Sequence, residues 1–292
     1  MKSLFFVVFC LLLCVLGSGQ ALGGEPAHWM KGLPDDTSLC ELAIPGTHNT
    51  AALYEPLDGT ARCQSLTISE QLKIGVRFLD LRCRHVQDEF HLYHGIINQK
   101  LTFAACLVEL EKFLTAHPSE TIIVSINETS GAKENTRSFP DTFKESIKNK
   151  NWWLKEKLPK LGEARGKLIL LRRFKSKIAL GIPATNWRSN QLHQTKQLII
   201  QDYFSPKNAD EKWKAVENAF KVKNQAKLKL NFCSGYLKGK FGLPNILKIS
   251  NPVNKKLGNY LPKVKHFDGS IVILDFVTPE LANAILRLNA TP

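Results

Sequence analysis

The chain has 292 residues, 43% of them apolar, enough to bury a full core as one large α/β domain or two ordinary ones. Its formal net charge of +14 attracts polyanions at long range, either nucleic acid or a membrane rich in acidic lipid. The lysines scatter through 144–177 and 207–265 without a recognition helix or an RNA-binding motif, so no nucleic-acid partner is expected.

In chain order, Lys2 precedes the apolar run Leu4–Leu16, which is followed by the small residues Gly17, Ser18, Gly19 and Ala21. That is the pattern of a secretory signal peptide, assigned to residues 1–21, and the run is too short to span a bilayer. Residues 22–292 are read as one catalytic domain, exported, extracellular and monomeric. Cys10 and Cys14 leave with the leader, so Cys40, Cys63, Cys83, Cys106 and Cys233 face an oxidising compartment. Cys40 with Cys63 is the preferred bridge, the alternative being that all five are small buried hydrophobes. Asn289-Ala-Thr291 is a glycosylation sequon, and Asn127-Glu-Thr129 is one that a buried strand end would hide.

Short apolar runs then alternate with helical patterns, which argues for parallel strands joined by crossover helices. The candidate strands cover 39–44, 76–82, 90–93, 121–126, 167–171, 198–201, 228–232 and 271–275. Candidate helices cover 69–73, 103–116, 141–149, 210–222, 254–261 and 279–288. No linker or repeat divides the chain, and the second-to-third connection is too short for a helix. The expectation is a single distorted (β/α)8 TIM-type barrel, whose chemistry sits at the C-terminal ends of its strands. His48 follows strand one, Asp80 and Arg82 end strand two, and His94 ends strand three. Asn127 ends strand four, Arg173 follows strand five, Asp202 ends strand six and Asp275 ends strand eight. Closure of a barrel brings strand eight beside strand one, and so Asp275 towards His48.

Two imidazoles at neighbouring strand ends suit acid–base work, one taking a proton while the other gives one. A carboxylate beside one of them fixes its tautomer, and Arg82 offers a permanently charged fork to a phosphate. No Ser or Cys sits in a nucleophile elbow, so phosphoryl chemistry fits better than acyl transfer. His85 and His91 are read as non-catalytic.

Ile44-Pro-Gly-Thr-His-Asn-Thr50, Gly75-Val-Arg-Phe-Leu-Asp-Leu-Arg82, His94-Gly95 and Ser119-Glu-Thr-Ile-Ile-Val-Ser125 resemble the X domain of bacterial-type phosphatidylinositol-specific phospholipases C. The likeness continues through Gly166–Arg173, Gln201-Asp202 and Leu274-Asp275. It implies a distorted barrel that cleaves phosphatidylinositol, free or in a glycosylated anchor, to diacylglycerol and inositol 1,2-cyclic phosphate. By the same resemblance His48 is the general base, oriented by Asp275. Arg82 stabilises the phosphoryl charge, His94 protonates the leaving oxygen and Asp80 supports the cluster. Arg173 and Asp202 are inositol contacts, and Asn49, Asn127 and Tyr203 complete the expected substrate-binding set.

The chain also departs from that pattern. Asn49 stands where bacterial members carry Asp and resembles instead a calcium-ligating Asn of intracellular eukaryotic members. Asn127 replaces a Lys or an acidic ligand, and Phe204 stands where a tyrosine is expected, with Tyr203 adjacent. Calcium wants several oxygen ligands, and a cationic Arg82 among them opposes it, so no metal and no cofactor is expected. The expected partner is a phosphatidylinositol-containing membrane surface. Trp152 and Trp153 amid lysines, and the glycine-rich 235–242 segment, are candidate contacts with it. Two other readings are carried: a catalytically silent protein that binds inositol lipid or a partner, and a phosphodiesterase acting on another glycerophospholipid.

Overall fold

A computed structural model describes residues 25–290; the expected leader lies outside them. The strands are β1 (Ala43–Thr47), β2 (Phe78–Val86), β3 (Glu89–His94), β4 (Ile97–Thr102), β5 (Ile122–Glu128), β6 (Trp152–Trp153) and β7 (Leu168–Arg173). They continue with β8 (Ile182–Pro183), β9 (Leu192–Gln194), β10 (Leu198–Gln201), β11 (Leu228–Phe232), β12 (Leu237–Lys238), β13 (Pro244–Asn245) and β14 (Ser270–Leu274). The helices are α1 (Ile68–Lys73), α2 (Phe103–Ala116), α3 (Phe139–Ser146), α4 (Leu161–Ala164), α5 (Ala209–Lys221), α6 (Leu247–Tyr260) and α7 (Pro279–Leu286).

Seven parallel strands curl in the order β7-β5-β2-β1-β14-β11-β10. Short β6 and β8 both lie on the outer edge of β7, and antiparallel β9 lies on that of β10. The barrel is therefore distorted, its last gap falling between these edges. The first and last parallel strands are neighbours, with Thr47 paired to Leu274. Alternation along each strand feeds two cores. Ile44, Phe78, Ile123, Ile169, Leu230 and Ile271 fill the barrel. Leu79, Val124, Leu170 and Val272 pack outward against Leu107 and Leu110 of α2, Val216 of α5 and Ile285 of α7. Thr102, Ser138, Asn208 and Thr278 cap α2, α3, α5 and α7, each accepting a backbone N–H three residues on.

Several expectations need correcting. The run at 90–93 is not a barrel strand. β2 leaves the sheet and turns through Gln87 and Asp88, both at positive φ, into antiparallel β3 and then β4. α6 starts at Leu247 and runs through Pro252, rather than starting at 254.

Cys40 and Cys63 do not pair, and all five cysteines are free and buried. The two flank opposite ends of β1, whose five residues span roughly 16 Å, far beyond the reach of a disulfide. Asn289 accepts from the Ala43 N–H and donates to its carbonyl, both at 2.8 Å, so its amide clamps the start of β1.

Trp153 is buried, its indole N–H donating to Lys157, and Trp152 packs edge-on against Phe143. Both belong to the strand edge at the start of β7, away from the C-terminal rim, so they are packing residues rather than a membrane contact. Among the described residues no helix is long and apolar enough to cross a membrane.

Candidate active site

The C-terminal ends of β1, β3 and β14 converge with the first half of β2 on one cluster, the expected end of strand two at Arg82 being carried on to Val86. His48 follows β1, and its N–H donates to the Leu274 carbonyl at 2.9 Å. The Gln64 amide donates to the carbonyls of His48 and Leu274 at 2.9 and 2.8 Å and accepts from the Val277 N–H. This one side chain locks the ends of β1 and β14 together, so His48 and Asp275 keep a fixed separation.

His48 Nδ1 lies 2.7 Å from Asp275 Oδ1, and the carboxylate is buried. An ionised carboxylate can only accept, so Nδ1 carries the proton and Nε2 is left as the acceptor. Nε2 meets Arg82 Nη2 at 2.6 Å.

Asp80 and Arg82 share the face of β2 that carries Phe78 into the barrel. Asp80 Oδ2 accepts the Asn49 N–H at 3.2 Å and lies 3.6 Å from Arg82 Nε; Oδ1 accepts from Arg173 Nη1 at 3.4 Å. Burial alone would raise this carboxyl, but Arg82, Arg173 and His48 together hold it below its ordinary value. Asp80 is thus an anionic strut between two arginines.

His94 ends β3, and the hairpin excursion of β2 returns it to the barrel mouth. Its ring stands almost perpendicular to that of His48, centroids 6.1 Å apart. Nδ1 donates to the Ala61 carbonyl at 2.6 Å, with the Cys63 thiol at 3.6 Å, leaving Nε2 for chemistry. Burial, then the charges of Arg82 and His48, pushes His94 down to about 4. These surroundings favour the neutral His94 ring, and a phosphate anion beside it reverses the electrostatic part of that shift.

A cavity of about 440 Å³ has His48, Arg82, His94, Asn127, Arg173 and Asp202 in its wall. Arg173 stacks on Trp187 at 3.7 Å, and the Trp187 indole N–H donates to Asp202 Oδ2 at 2.9 Å. Two expected members do not line it. The Tyr203 hydroxyl donates to Glu211 at 3.0 Å, because alternation along the extended segment sends its neighbour Phe204 to the cavity instead. Phe204 stands nearly parallel to Tyr236, which the sequence offered as part of the 235–242 lipid-contact segment and which lines the cavity, centroids 6.1 Å apart. Asn49 is buried behind the cluster, with its side-chain amide nitrogen unpartnered.

Gln64, Trp187 and the Ala61 carbonyl were invisible in the sequence: each lies in a loop with no periodicity, and a backbone carbonyl carries no residue signal. A larger groove of about 830 Å³ beside α3 carries Lys144, Arg172, Lys175 and Lys177 but no histidine, so it offers no comparable acid–base pair.

A calcium ion does not fit this cluster. It would need several free oxygens, whereas both Asp80 oxygens are engaged by guanidinium or backbone donors and Arg82 occupies the centre.

Residues 36–174 match the model of the phosphatidylinositol-specific phospholipase C X domain. The chain is 28% identical over 221 residues to a 1-phosphatidylinositol phosphodiesterase of Listeria monocytogenes, covering 71% of this chain and 68% of that one. It is 28% identical over 248 residues to a Staphylococcus aureus protein of the same name, covering 75% of each. A solved phosphatidylinositol-specific phospholipase C of Staphylococcus aureus superposes with a TM-score of 0.79 at 24% identity, over 90% of this chain and 99% of that one. Motif and length of alignment agree: residues 36–174 match the phosphatidylinositol-specific phospholipase C X domain, and the likeness of the chain to bacterial 1-phosphatidylinositol phosphodiesterases extends along most of its length.

Proposed function

We propose that this chain is a phosphoric-diester lyase that cleaves phosphatidylinositol, free or in a glycosylated anchor, to diacylglycerol and inositol 1,2-cyclic phosphate. The observation that carries this reading is the His48 ring, turned by buried Asp275 so that its basic Nε2 meets the Arg82 fork at 2.6 Å. Nε2 takes the proton of the inositol 2-hydroxyl, whose oxygen bonds to phosphorus. Arg82, displaced from Nε2 onto the phosphoryl oxygens, opposes the charge that develops there. His94, protonated once the phosphate anion is beside it, gives its Nε2 proton to the glycerol oxygen as that bond to phosphorus breaks. Holding the sugar against Arg173 and Asp202 makes the attack intramolecular and removes much of its entropic cost.

The named relatives support the substrate, and the arginine-centred cluster supports catalysis without a metal. A basic chain whose 235–242 segment lines part of the cavity suits a phosphatidylinositol-bearing membrane, and the leader pattern suits export. The whole of 22–292 then acts as one monomeric secreted barrel with no nucleic-acid role.

The test is to incubate the chain with phosphatidylinositol and follow the phosphorus resonance of the product. Cyclic phosphate should appear with wild type and fall roughly 10³-fold or more with His48→Ala or His94→Ala. Full activity in both variants would end the mechanism, and absence of any phosphodiester cleavage by wild type would favour a lipid-binding protein.

A further inference from the structure

His94 stands in the wall of a second cavity, about 390 Å³ in volume, whose other walls come from Pro56, Leu57, Ile96, Ile97 and the Leu243-Pro244 pair. His94 and Pro244 also line the polar cavity, so the two cavities adjoin, with the His94 ring in the wall they share. Their chemistry differs sharply. Arg82, Arg173, Asp202 and Asn127 face the first, whereas the second has Thr60 and His94 as its polar side chains.

This corner also collects exposed apolar surface. Leu57 is 55% exposed, Ile96 85% and Leu243 42%, and Phe241, two residues before Leu243, is 98% exposed at positive φ. They make up half of the eight large hydrophobic side chains left exposed among the described residues. Apolar surface gathered beside a polar site marks an apolar ligand, since leaving it in water is unfavourable.

The reaction geometry says which ligand. Nδ1 of His94 is held by the Ala61 carbonyl, so the proton leaves from Nε2. The leaving oxygen must lie within hydrogen-bond reach of that atom. Whatever is attached to the oxygen therefore begins at His94, with the hydroxyl-rich headgroup on the polar side and the carbon-rich part free to enter the apolar cavity.

We infer that the cavity bounded by Leu57, Ile96, Ile97 and Leu243 receives the glycerol and first acyl methylenes of the lipid, making it a leaving-group subsite that selects an acylglycerol over a small alcohol. The inference rests on the lyase reading above and adds a specificity that the polar cavity cannot supply. It differs from membrane docking, because a subsite acts on a single lipid molecule in free solution.

The test uses the full chain and the Leu57→Ser/Ile96→Ser double variant; both positions are exposed enough for the fold to tolerate the change. Two substrates are compared, the methyl phosphodiester of inositol and dihexanoyl-phosphatidylinositol kept below its micellar concentration. For the dihexanoyl lipid, kcat/KM should fall about ten-fold or more in the variant, the worth of a methylene or two in an apolar pocket, while the methyl ester shifts less than two-fold. An equal loss on both substrates, or no loss on either, overturns the subsite. A loss confined to phosphatidylinositol in vesicles also overturns it, and makes the patch a bilayer-docking surface. If wild type cleaves neither substrate, the lyase reading fails first and the subsite with it.

Discussion

At the N-terminal ends of the barrel strands Arg77 is wholly buried against Glu120, and every donor it has is used. Nε bonds Glu120 at 3.0 Å, Nη1 bonds the carbonyls of Leu72 and Val76, and Nη2 bonds that of Ala27. Glu120 in turn accepts from the Met30 N–H and from Ser119. At the C-terminal ends Arg82 and its carboxylates are built from the same chemistry, yet Arg82 Nε, Asp275 Oδ2 and the Asn49 amide nitrogen have no hydrogen-bond partner among the described residues. A buried ion pair with all its atoms satisfied closes a structure; an arginine at a cavity wall with an unpaired Nε, backed by unpaired polar atoms on Asp275 and Asn49, is arranged for something that arrives later. Charge and the burial of the carboxylates do not separate these two ends; the partial exposure of Arg82 and its incomplete hydrogen bonding do.

The sharpest way to break this contrast is to remove each arginine in turn. Arg82→Ala should lower kcat roughly 10⁴-fold, as expected for a guanidinium on a transferring phosphoryl group, with the melting temperature little changed. Arg77→Ala should do the opposite, destabilising the fold by about 3–5 kcal/mol in urea titration because Glu120 is left buried and unpaired, with kcat in the folded fraction preserved. If both variants lose only stability, or both lose only activity, the two ends are not different in kind.

A smaller effect sharpens the contrast through pH. Burial, with Arg82 and His48 behind it, holds His94 at about 4, below its ordinary 6.5. The folded state thus favours the neutral ring. That contribution to stability is present above about pH 6.5 and is lost as pH falls towards 4. An inositol phosphodiester analogue adds negative charge beside the ring and raises its pKa, so binding takes up a proton and tightens as pH falls from 7. Calorimetry in two buffers of different ionisation enthalpy should show uptake of up to one proton, abolished in His94→Gln. The smallest expected effect is none: because guanidinium groups engage Asp80, the cleavage rate should be the same in EDTA as without it. A chelator-sensitive rate would place a metal in the cluster.

Much of this site was readable from residues two apart or at strand ends. Asp80 and Arg82 alternate along β2, so they share a face whatever the fold, and a charged pair inside a barrel must be partnered. His48 and Asp275 lie 227 positions apart, yet barrel closure alone brings their strands together. The hairpin that returns His94 to the mouth was not readable, because its Gln87-Asp88 turn lacks the Asn-Gly or Asp-Gly pair that marks such turns. Nor was the side of the chain on which Tyr203 and Phe204 fall, since a one-residue shift in an extended segment exchanges its faces.

By itself the sequence determined the alternating α/β order, the two-sided burial of the parallel strands and the placing of ionisable residues at one rim, because these depend on local periodicity. Tertiary structure alone decided that Cys40 and Cys63 face opposite ends of β1, that Gln64 ties β1 to β14 and that His94 stands between a polar cavity and an apolar one. Each of these depends on how far apart two chain segments come to rest, and that distance is set by the packing of the whole barrel rather than by any run of neighbouring residues.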